Sequence, residues 1–80
     1  MTTAYVLINC ELDSKKKVFS QLRLIGRIKE MREVFGAYDI VTKIEAASVD
    51  IIKDIATQIR GLDRIRSTIT LLSSEKENQY

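Results

Sequence analysis

The sequence predicts an α+β fold in which two helices cover one face of a four-stranded antiparallel sheet. Two segments repeat apolar residues at the spacing of a helix, and four others carry the β-branched and apolar residues that are typical of strands. These segments follow one another in the order strand, helix, strand, strand, helix, strand. With 80 residues, the chain is long enough for one such domain and leaves little room for a second.

The first predicted strand and the helix after it occupy the first third of the chain. Residues 3–11 contain the strand-like run YVLINC. Asp13 or Ser14 is expected to cap the following helix, because a side-chain oxygen at that position can accept a hydrogen bond from a free amide of the first turn. The helix is predicted over residues 15–25, and Gly26 is expected to end it in the left-handed conformation.

The next two predicted strands form a hairpin. Residues 28–35 carry four apolar residues between charged ones, which indicates a strand with one exposed side at an edge of the sheet. Residues 36–39 are the turn, where Gly36 is free to adopt a positive φ. The third strand covers residues 40–46.

A second helix follows the hairpin. Ser48 is expected to be its N-cap, and Asp50 lies in the first turn, where a negative charge interacts favourably with the helix dipole. Gly61, which is followed by an apolar residue, is expected to end the helix in the left-handed conformation. An apolar stripe at helical spacing marks its buried side: Ile52, Ile55, Ile59 and Leu62.

The last predicted strand covers residues 64–72 and completes a ferredoxin-like βαββαβ sandwich. Right-handed crossovers place both helices on one face of the sheet, with the first and third strands in the centre and the second and fourth at the edges. Residues 1–73 make up this domain, and residues 74–80 are expected to be a polar, flexible tail. The alternation of the last strand predicts four residues on one face: Ile65, Ser67, Ile69 and Leu71.

The sheet face without helices is predicted to be apolar as well. In the first strand, Val6 and Ile8 point to one face while Tyr5 and Leu7 point to the other. Leaving such side chains in water would forgo roughly 1.5–3 kcal/mol each, and so short a chain has little stability to spare. With one cysteine and no histidine, neither an internal disulfide nor a metal site is expected to supplement the core. We therefore expect the domain to dimerise through this face.

Charge and hydropathy argue against nucleic-acid and membrane partners. Lys and Arg number 13 against 11 Asp and Glu, a formal net charge of +2, whereas nucleic-acid binders concentrate positive charge more strongly. The apolar stretch at residues 4–8 is too short for a signal peptide or a membrane span. The single thiol, Cys10, favours a reducing cytoplasm and is expected to be buried and inert, because no histidine can activate it.

Two segments resemble a known family. Residues 34–44, VFGAYDIVTKI, resemble the Gly-x-Tyr-Asp hairpin of the Lrp/AsnC effector domain, also called the RAM domain. Residues 66–72, RSTITLL, are similar to the threonine-bearing last strand of that family. The resemblance covers residues 3–73, and it implies the fold described above.

The resemblance also implies a function. Members of the family dimerise through their sheets, assemble into tetramers or octamers, and bind amino acids or similar small effectors between dimers in the transcriptional regulation of amino-acid metabolism. Full-length members carry an N-terminal helix-turn-helix that this sequence lacks. The chain therefore resembles a stand-alone RAM domain, for which co-assembly with a full-length Lrp/AsnC regulator is one expected mode of action.

The expected ligand chemistry is that of a zwitterion. Asp39 can accept hydrogen bonds from an ammonium group, backbone amides of the hairpin turn can donate to a carboxylate, and threonine hydroxyls can complete the polar frame. Equally, Asp39 can be a turn residue that bonds its own backbone, Thr68 and Thr70 can be ordinary strand formers, and Tyr38 can be a packing residue. By resemblance, the predicted ligand-binding residues are Gly36, Ala37, Tyr38, Asp39, Thr68 and Thr70.

Two other function classes share this topology. A small dimeric α+β-barrel enzyme could use Asp39 as a base, but the sequence has no histidine and no recognisable nucleophile–base set. We therefore predict no catalytic residues, metal or cofactor. An RNA-recognition motif would need aromatic residues on the third strand, and residues 40–46 contain none.

Overall fold

The computed structural model of the protein describes residues 1–73. The predicted tail at residues 74–80 lies outside the described residues. The elements follow the predicted order: β1 (Thr2–Cys10), α1 (Lys15–Leu22), β2 (Ile28–Glu33), β3 (Ile40–Ala46), α2 (Val49–Arg60) and β4 (Ile65–Leu72).

The four strands form one antiparallel sheet in the order β2-β3-β1-β4. The predicted ferredoxin-like fold is thereby confirmed, with β1 and β3 in the centre and β2 and β4 at the edges. In this register, Ile8 of β1 pairs with Ile40 of β3 on one side and with Thr68 of β4 on the other. The same register places the end of β1 beside the start of β3.

The core lies between the sheet and the two helices. Alternate residues of the central strands are fully buried on that face, among them Val6 and Ile8, which the sequence predicted to share a face. The predicted stripe of α2 is buried except for Leu62, which packs against the core while partly exposed. The largest fully buried side chains are Val6, Ile8, Val18, Leu22, Ile40, Thr42, Ile44, Ile52 and Ile59.

A β-bulge changes the predicted alternation of β4. The register between β1 and β4 shifts after Asn9, so that Ser67 pairs with Asn9 but Ile65 pairs with Cys10. Arg66 is the extra residue, and an extra residue in one strand moves everything beyond it to the other face. Ile65 therefore packs against the core, and the prediction that it shares a face with Ile69 was wrong.

Neither glycine adopts the predicted left-handed conformation, although α2 does end at Gly61 as predicted. α1 ends at Leu22 instead of residue 25, and Gly26 is not among the residues with positive φ. Gly61 has a φ of −85°, in the right-handed region. The last turn of α2 instead tightens, with the Leu62 amide donating to the Ile59 carbonyl oxygen at 3.0 Å. The chain then reverses at Arg64, whose φ is 72°.

The helix starts and the hairpin agree better with the sequence. The Ser48 hydroxyl accepts a hydrogen bond from the Ile51 amide at 3.3 Å, as predicted for an N-cap. Ser14 occupies the N-cap position of α1, but its hydroxyl donates to the Leu12 carbonyl oxygen instead of capping an amide. Gly36 has the predicted positive φ, at 128°, although β2 ends two residues earlier than expected.

Neither helix within residues 1–73 is long and apolar enough to span a bilayer.

Candidate functional site

The β2–β3 turn carries four of the predicted ligand-binding residues. The Val34 amide donates to the Asp39 carbonyl oxygen at 2.9 Å and closes the hairpin. Gly36 and Ala37 are exposed, whereas Tyr38 and Asp39 are half-buried. The positive φ of Gly36 is strained for any residue with a Cβ, so glycine is required here for the backbone path itself.

Asp39 connects this turn to the end of β1. Its amide donates to the Ile8 carbonyl oxygen at 2.9 Å, and its Oδ2 accepts a hydrogen bond from the Cys10 amide at 3.0 Å. The carboxylate thus bonds the neighbouring strand and not its own turn. Its Oδ1 has no hydrogen-bond donor within residues 1–73, so it remains available to a ligand.

The Cys10 thiol lies against the same carboxylate. Its Sγ is 3.9 Å from Asp39 Oδ2. Burial raises the pKa of the Cys10 thiol above its ordinary value, and the negative charge of Asp39 raises it further. Because only the thiolate is a good nucleophile, this environment makes Cys10 unreactive, in agreement with the sequence prediction.

An open cleft of about 860 Å³ surrounds these groups. Its walls carry positive charge from Lys15, Lys16 and Arg66. They carry negative charge from Glu11, Asp13 and Asp39. The other lining residues are Asn9, Cys10, Leu12 and Ser67. Lys15 is held in place by Glu33, whose Oε2 is 2.8 Å from Lys15 Nζ, and this hydrogen bond raises the pKa of the lysine. A cleft with both charges suits a zwitterionic ligand.

The two predicted threonines lie elsewhere. Thr68 pairs with Ile8 and Thr70 with Val6, on the helix side of the sheet. Thr70 lines a second cleft of about 400 Å³, between α2 and β4, which Asp39 does not line. One chain therefore does not bring the predicted residues of the hairpin and of β4 into one cavity.

The residues of β4 that reach the Asp39 cleft are Arg66 and Ser67. The Asn9 side-chain amide donates to the Ser67 hydroxyl at 3.5 Å. Sequence reasoning did not assign these residues or Lys15 to the site. The signal that could have found Ser67 is the strand register, because pairing β1 with β4 places it opposite Asn9.

The helix-free face of the sheet carries a second candidate site. Leu7 lies between Val41 of β3 and Ile69 of β4, and Tyr5 lies beside Leu71. Ile69 and Leu71 are 44% and 50% exposed. We call the surface formed by Tyr5, Leu7, Val41, Ile69 and Leu71 the apolar sheet face. Contiguous apolar side chains of this kind mark interaction surfaces.

Charged residues flank the apolar sheet face on the β2 side. Glu30 lies 3.8 Å from Lys43 and 4.0 Å from Arg32. An apolar centre with a charged margin is the usual anatomy of a protein–protein interface.

The environment of Cys10 gives a first prediction. Iodoacetamide should modify Cys10 in the folded protein at least about tenfold more slowly than in the urea-unfolded chain at pH 8. In Asp39→Asn, the carboxylate that raises the thiol pKa is gone, so the alkylation rate should rise and its pH profile should move to lower pH. Asp54→Asn, an exposed position on α2, is the control and should leave the profile unchanged. An unchanged profile in Asp39→Asn would contradict the proposed coupling.

The described part of the chain offers no arrangement for metal chemistry. Within residues 1–73, no group of three or more Cys, Asp or Glu side chains is placed to hold a metal ion. The cleft instead presents hydrogen-bonding and charged side chains.

Solved structures share the fold over nearly the whole chain. A protein from Thermus thermophilus is 28% identical, with a TM-score of 0.89, and the match covers 99% of this chain and 100% of that one. A hypothetical protein from Pyrococcus horikoshii is 26% identical, with a TM-score of 0.85 and coverage of 95% and 93%. AsnC from E. coli is 20% identical with a TM-score of 0.87; the match covers 99% of this chain and 54% of AsnC, and shows the shared fold.

Curated relatives include long enzymes. The chain is 34% identical over 73 residues to a homocitrate synthase of Saccharolobus islandicus, which covers 88% of this chain and 16% of the enzyme. A homocitrate synthase of Sulfurisphaera tokodaii is 32% identical over 74 residues, again 16% of its length. A sequence model described as the Lrp/AsnC ligand binding domain matches residues 3–79. The chain therefore belongs to the Lrp/AsnC ligand-binding domain family, as its hairpin and last strand predicted.

Proposed function

We propose that this chain is a sensing and oligomerisation module for amino acids that acts in the transcriptional regulation of amino-acid metabolism. Membership of the Lrp/AsnC ligand-binding domain family supports a regulatory sensing role. The observation that supports the amino-acid part is the cleft that Asp39 lines together with Lys15 and Arg66, so that both signs of charge border the same space.

In the proposed complex, the two charged ends of the amino acid bind different walls of the cleft. Asp39 accepts hydrogen bonds from the ammonium group, and Lys15 and Arg66 attract the carboxylate. Exposed Leu12, which also lines the cleft, offers an apolar surface to the effector side chain. The exposed turn residues Gly36 and Ala37, with Tyr38, Thr68 and Thr70, complete the site only when further copies assemble, because a single chain separates the hairpin residues from those of β4.

The proposed assembly begins with a homodimer formed through the apolar sheet face. Burying this surface removes Ile69 and Leu71 from water, which stabilises the pair. Dimers then associate into tetramers or octamers, and the effector binds between them. Co-assembly with a full-length Lrp/AsnC regulator uses the same surfaces. Effector binding by this chain would then alter an assembly that contains a DNA-binding subunit.

A second candidate function is the regulation of an enzyme. It is favoured by the match to homocitrate synthases, in which a segment similar to this whole domain makes up 16% of the chain. Catalysis by this domain itself, with Asp39 as the base, is the weaker alternative, because Oδ2 is already bonded to a backbone amide. Native mass spectrometry against a panel of the twenty amino acids tests sensing and assembly together.

The cleft gives a second prediction. An amino acid that binds the protein should raise its melting temperature, and Asp39→Asn should abolish that rise. The substitution keeps an oxygen to accept the Cys10 amide but removes the charge that holds the ammonium, and the loss of one charged hydrogen bond weakens binding about 10- to 100-fold. Differential scanning fluorimetry with the twenty amino acids measures the effect.

Asp54→Asn is the matched control, since this carboxylate is exposed on α2 and does not line the cleft. If an amino acid raises the melting temperature of Asp39→Asn as much as that of the unaltered protein, Asp39 does not bind the ligand. If none of the twenty amino acids shifts the melting temperature or the native mass spectrum of the unaltered protein, the amino-acid proposal itself fails.

A further inference from the structure

The two edge strands of the sheet differ in how they are protected. β2 is rich in charged residues, among them Lys29, Glu30 and Arg32, which discourage the addition of another strand. β4 has no charged residue from Ser67 to its end at Leu72. Its outer side is not paired with any strand within residues 1–73.

The hydrogen-bond ladder shows which groups β4 offers at this edge. The Ser73 amide donates to the Thr3 carbonyl oxygen at 2.9 Å, and in an antiparallel ladder this fixes the odd-numbered residues of β4 beyond the bulge, from Ser67 onward, as those that bond β1. The N–H and C=O groups of Thr68, Thr70 and Leu72 therefore point away from the sheet. They form a template for one more strand.

A groove with positive charge follows the same edge on the helix side. Thr70 and Leu72 form one wall of the cleft of about 400 Å³, and α2 forms the other. Lys53 and Arg60 lie two turns apart on that side of α2, and no acidic residue lines the groove. Neither cation forms an ion pair within residues 1–73.

The charges decide between two possible occupants of the edge. Pairing β4 with the β4 of a second copy would bring the same cations of both α2 helices to one groove, with no carboxylate between them. A strand with acidic side chains on the helix side would instead place negative charge near Lys53 and Arg60. On the opposite face, apolar side chains of the same strand would lie beside Ile69 and Leu71.

We propose that the free edge of β4 and the adjacent side of α2 bind an extended acidic segment of a partner protein, which adds as a fifth strand with carboxylates facing Lys53 and Arg60. Main-chain hydrogen bonds to Thr68, Thr70 and Leu72 supply affinity, and the alternation of acidic and apolar side chains supplies specificity. This docking site goes beyond effector sensing, and it does not use the Asp39 cleft.

The probe is a fluorescein-labelled ten-residue peptide in which Glu and Val alternate. It should bind the unaltered protein in fluorescence anisotropy, and the peptide with Lys in place of Glu should bind at least about tenfold more weakly. Hydrogen exchange followed by NMR should show rapid exchange of the Thr68, Thr70 and Leu72 amides in the free protein and slower exchange with the Glu–Val peptide.

Two kinds of variant test separately how the main-chain groups of β4 and the positive charges of α2 contribute to peptide binding. Thr70→Pro removes an outward N–H without removing a bond to β1, and Lys53→Glu combined with Arg60→Glu reverses the groove charge; each should weaken binding about tenfold or more. Lys29→Glu, on the other edge strand, is the matched charge reversal and should leave binding unchanged.

Three results would overturn the proposal. The first is slow exchange of the three amides without peptide, which would show that the edge is already covered. The second is equal binding of the Glu and Lys peptides, and the third is unchanged affinity in the double charge-reversal variant. If Thr70→Pro does not fold, the double charge-reversal variant and the hydrogen-exchange measurement still test the proposal.

Discussion

Ile69→Glu is expected to convert the proposed dimer into a folded monomer. Ile69 lies at the centre of β4 beside Leu7, on the apolar sheet face, and it is 44% exposed in the single chain. A glutamate there can remain hydrated in the monomer, so the free energy of unfolding of the single chain should change little. In the proposed dimer each subunit would bury one such carboxylate within an apolar interface, which is costly for a charged group.

The expected size of this effect follows from the cost of burying charge. A loss of about 3 kcal/mol or more per dimer would raise the dissociation constant at least about a hundredfold. Sedimentation velocity between about 1 and 100 μM measures the shift in mass, and far-ultraviolet circular dichroism verifies the fold.

The matched control is Phe35→Glu. Phe35 is also a large apolar residue and is 91% exposed, but it lies in the β2–β3 connection and not on the apolar sheet face. It should leave the dimer intact. A monomeric parent protein at 100 μM, or an Ile69→Glu variant that dimerises as tightly as the parent, would show that the interface lies elsewhere.

The sequence predicted those parts of the fold that depend on local patterns. Alternation in β1 placed Val6 and Leu7 on opposite faces, since successive strand residues point to opposite sides, and the structure buries Val6 in the core. The cap at Ser48 and the positive φ of Gly36 were also correct, because each depends on the chemistry of one residue and its nearest neighbours.

The errors arose where tertiary packing decides. Gly26 and Gly61 fitted the pattern of a left-handed helix end. In the structure, the carbonyl groups at the ends of both helices instead accept hydrogen bonds within a tightened last turn. After α2, the residue with positive φ is Arg64 and not Gly61. The bulge at Arg66 moved Ile65 to the core, and no local pattern announces such an extra residue. The same limit applies to the candidate site: Ser67 can be placed beside the Asp39 cleft only from the strand register, and Thr70 lines a different cleft of the single chain.

Leu22→Ala should destabilise the protein strongly, whereas Leu24→Ala, two residues away, should not. Leu22 is the last residue of α1 and is 0% exposed, while Leu24 is 86% exposed. Removing a fully buried leucine side chain costs about 2–5 kcal/mol, because apolar burial is lost and a cavity remains. The whole domain is expected to have only about 4–12 kcal/mol of stability, so this single change removes a large part of it.

Urea denaturation followed by circular dichroism measures both variants at one protein concentration. Equal midpoints for Leu22→Ala and Leu24→Ala would contradict the assigned packing of α1 on the sheet. The same experiment repeated at several protein concentrations connects this core to the apolar sheet face: if dimerisation supplements the core, the midpoint of Leu22→Ala must rise with concentration, since mass action stabilises whatever binds only the folded state. Combining Leu22→Ala with Ile69→Glu should abolish that rise, because the apolar sheet face can then no longer compensate for the missing side chain.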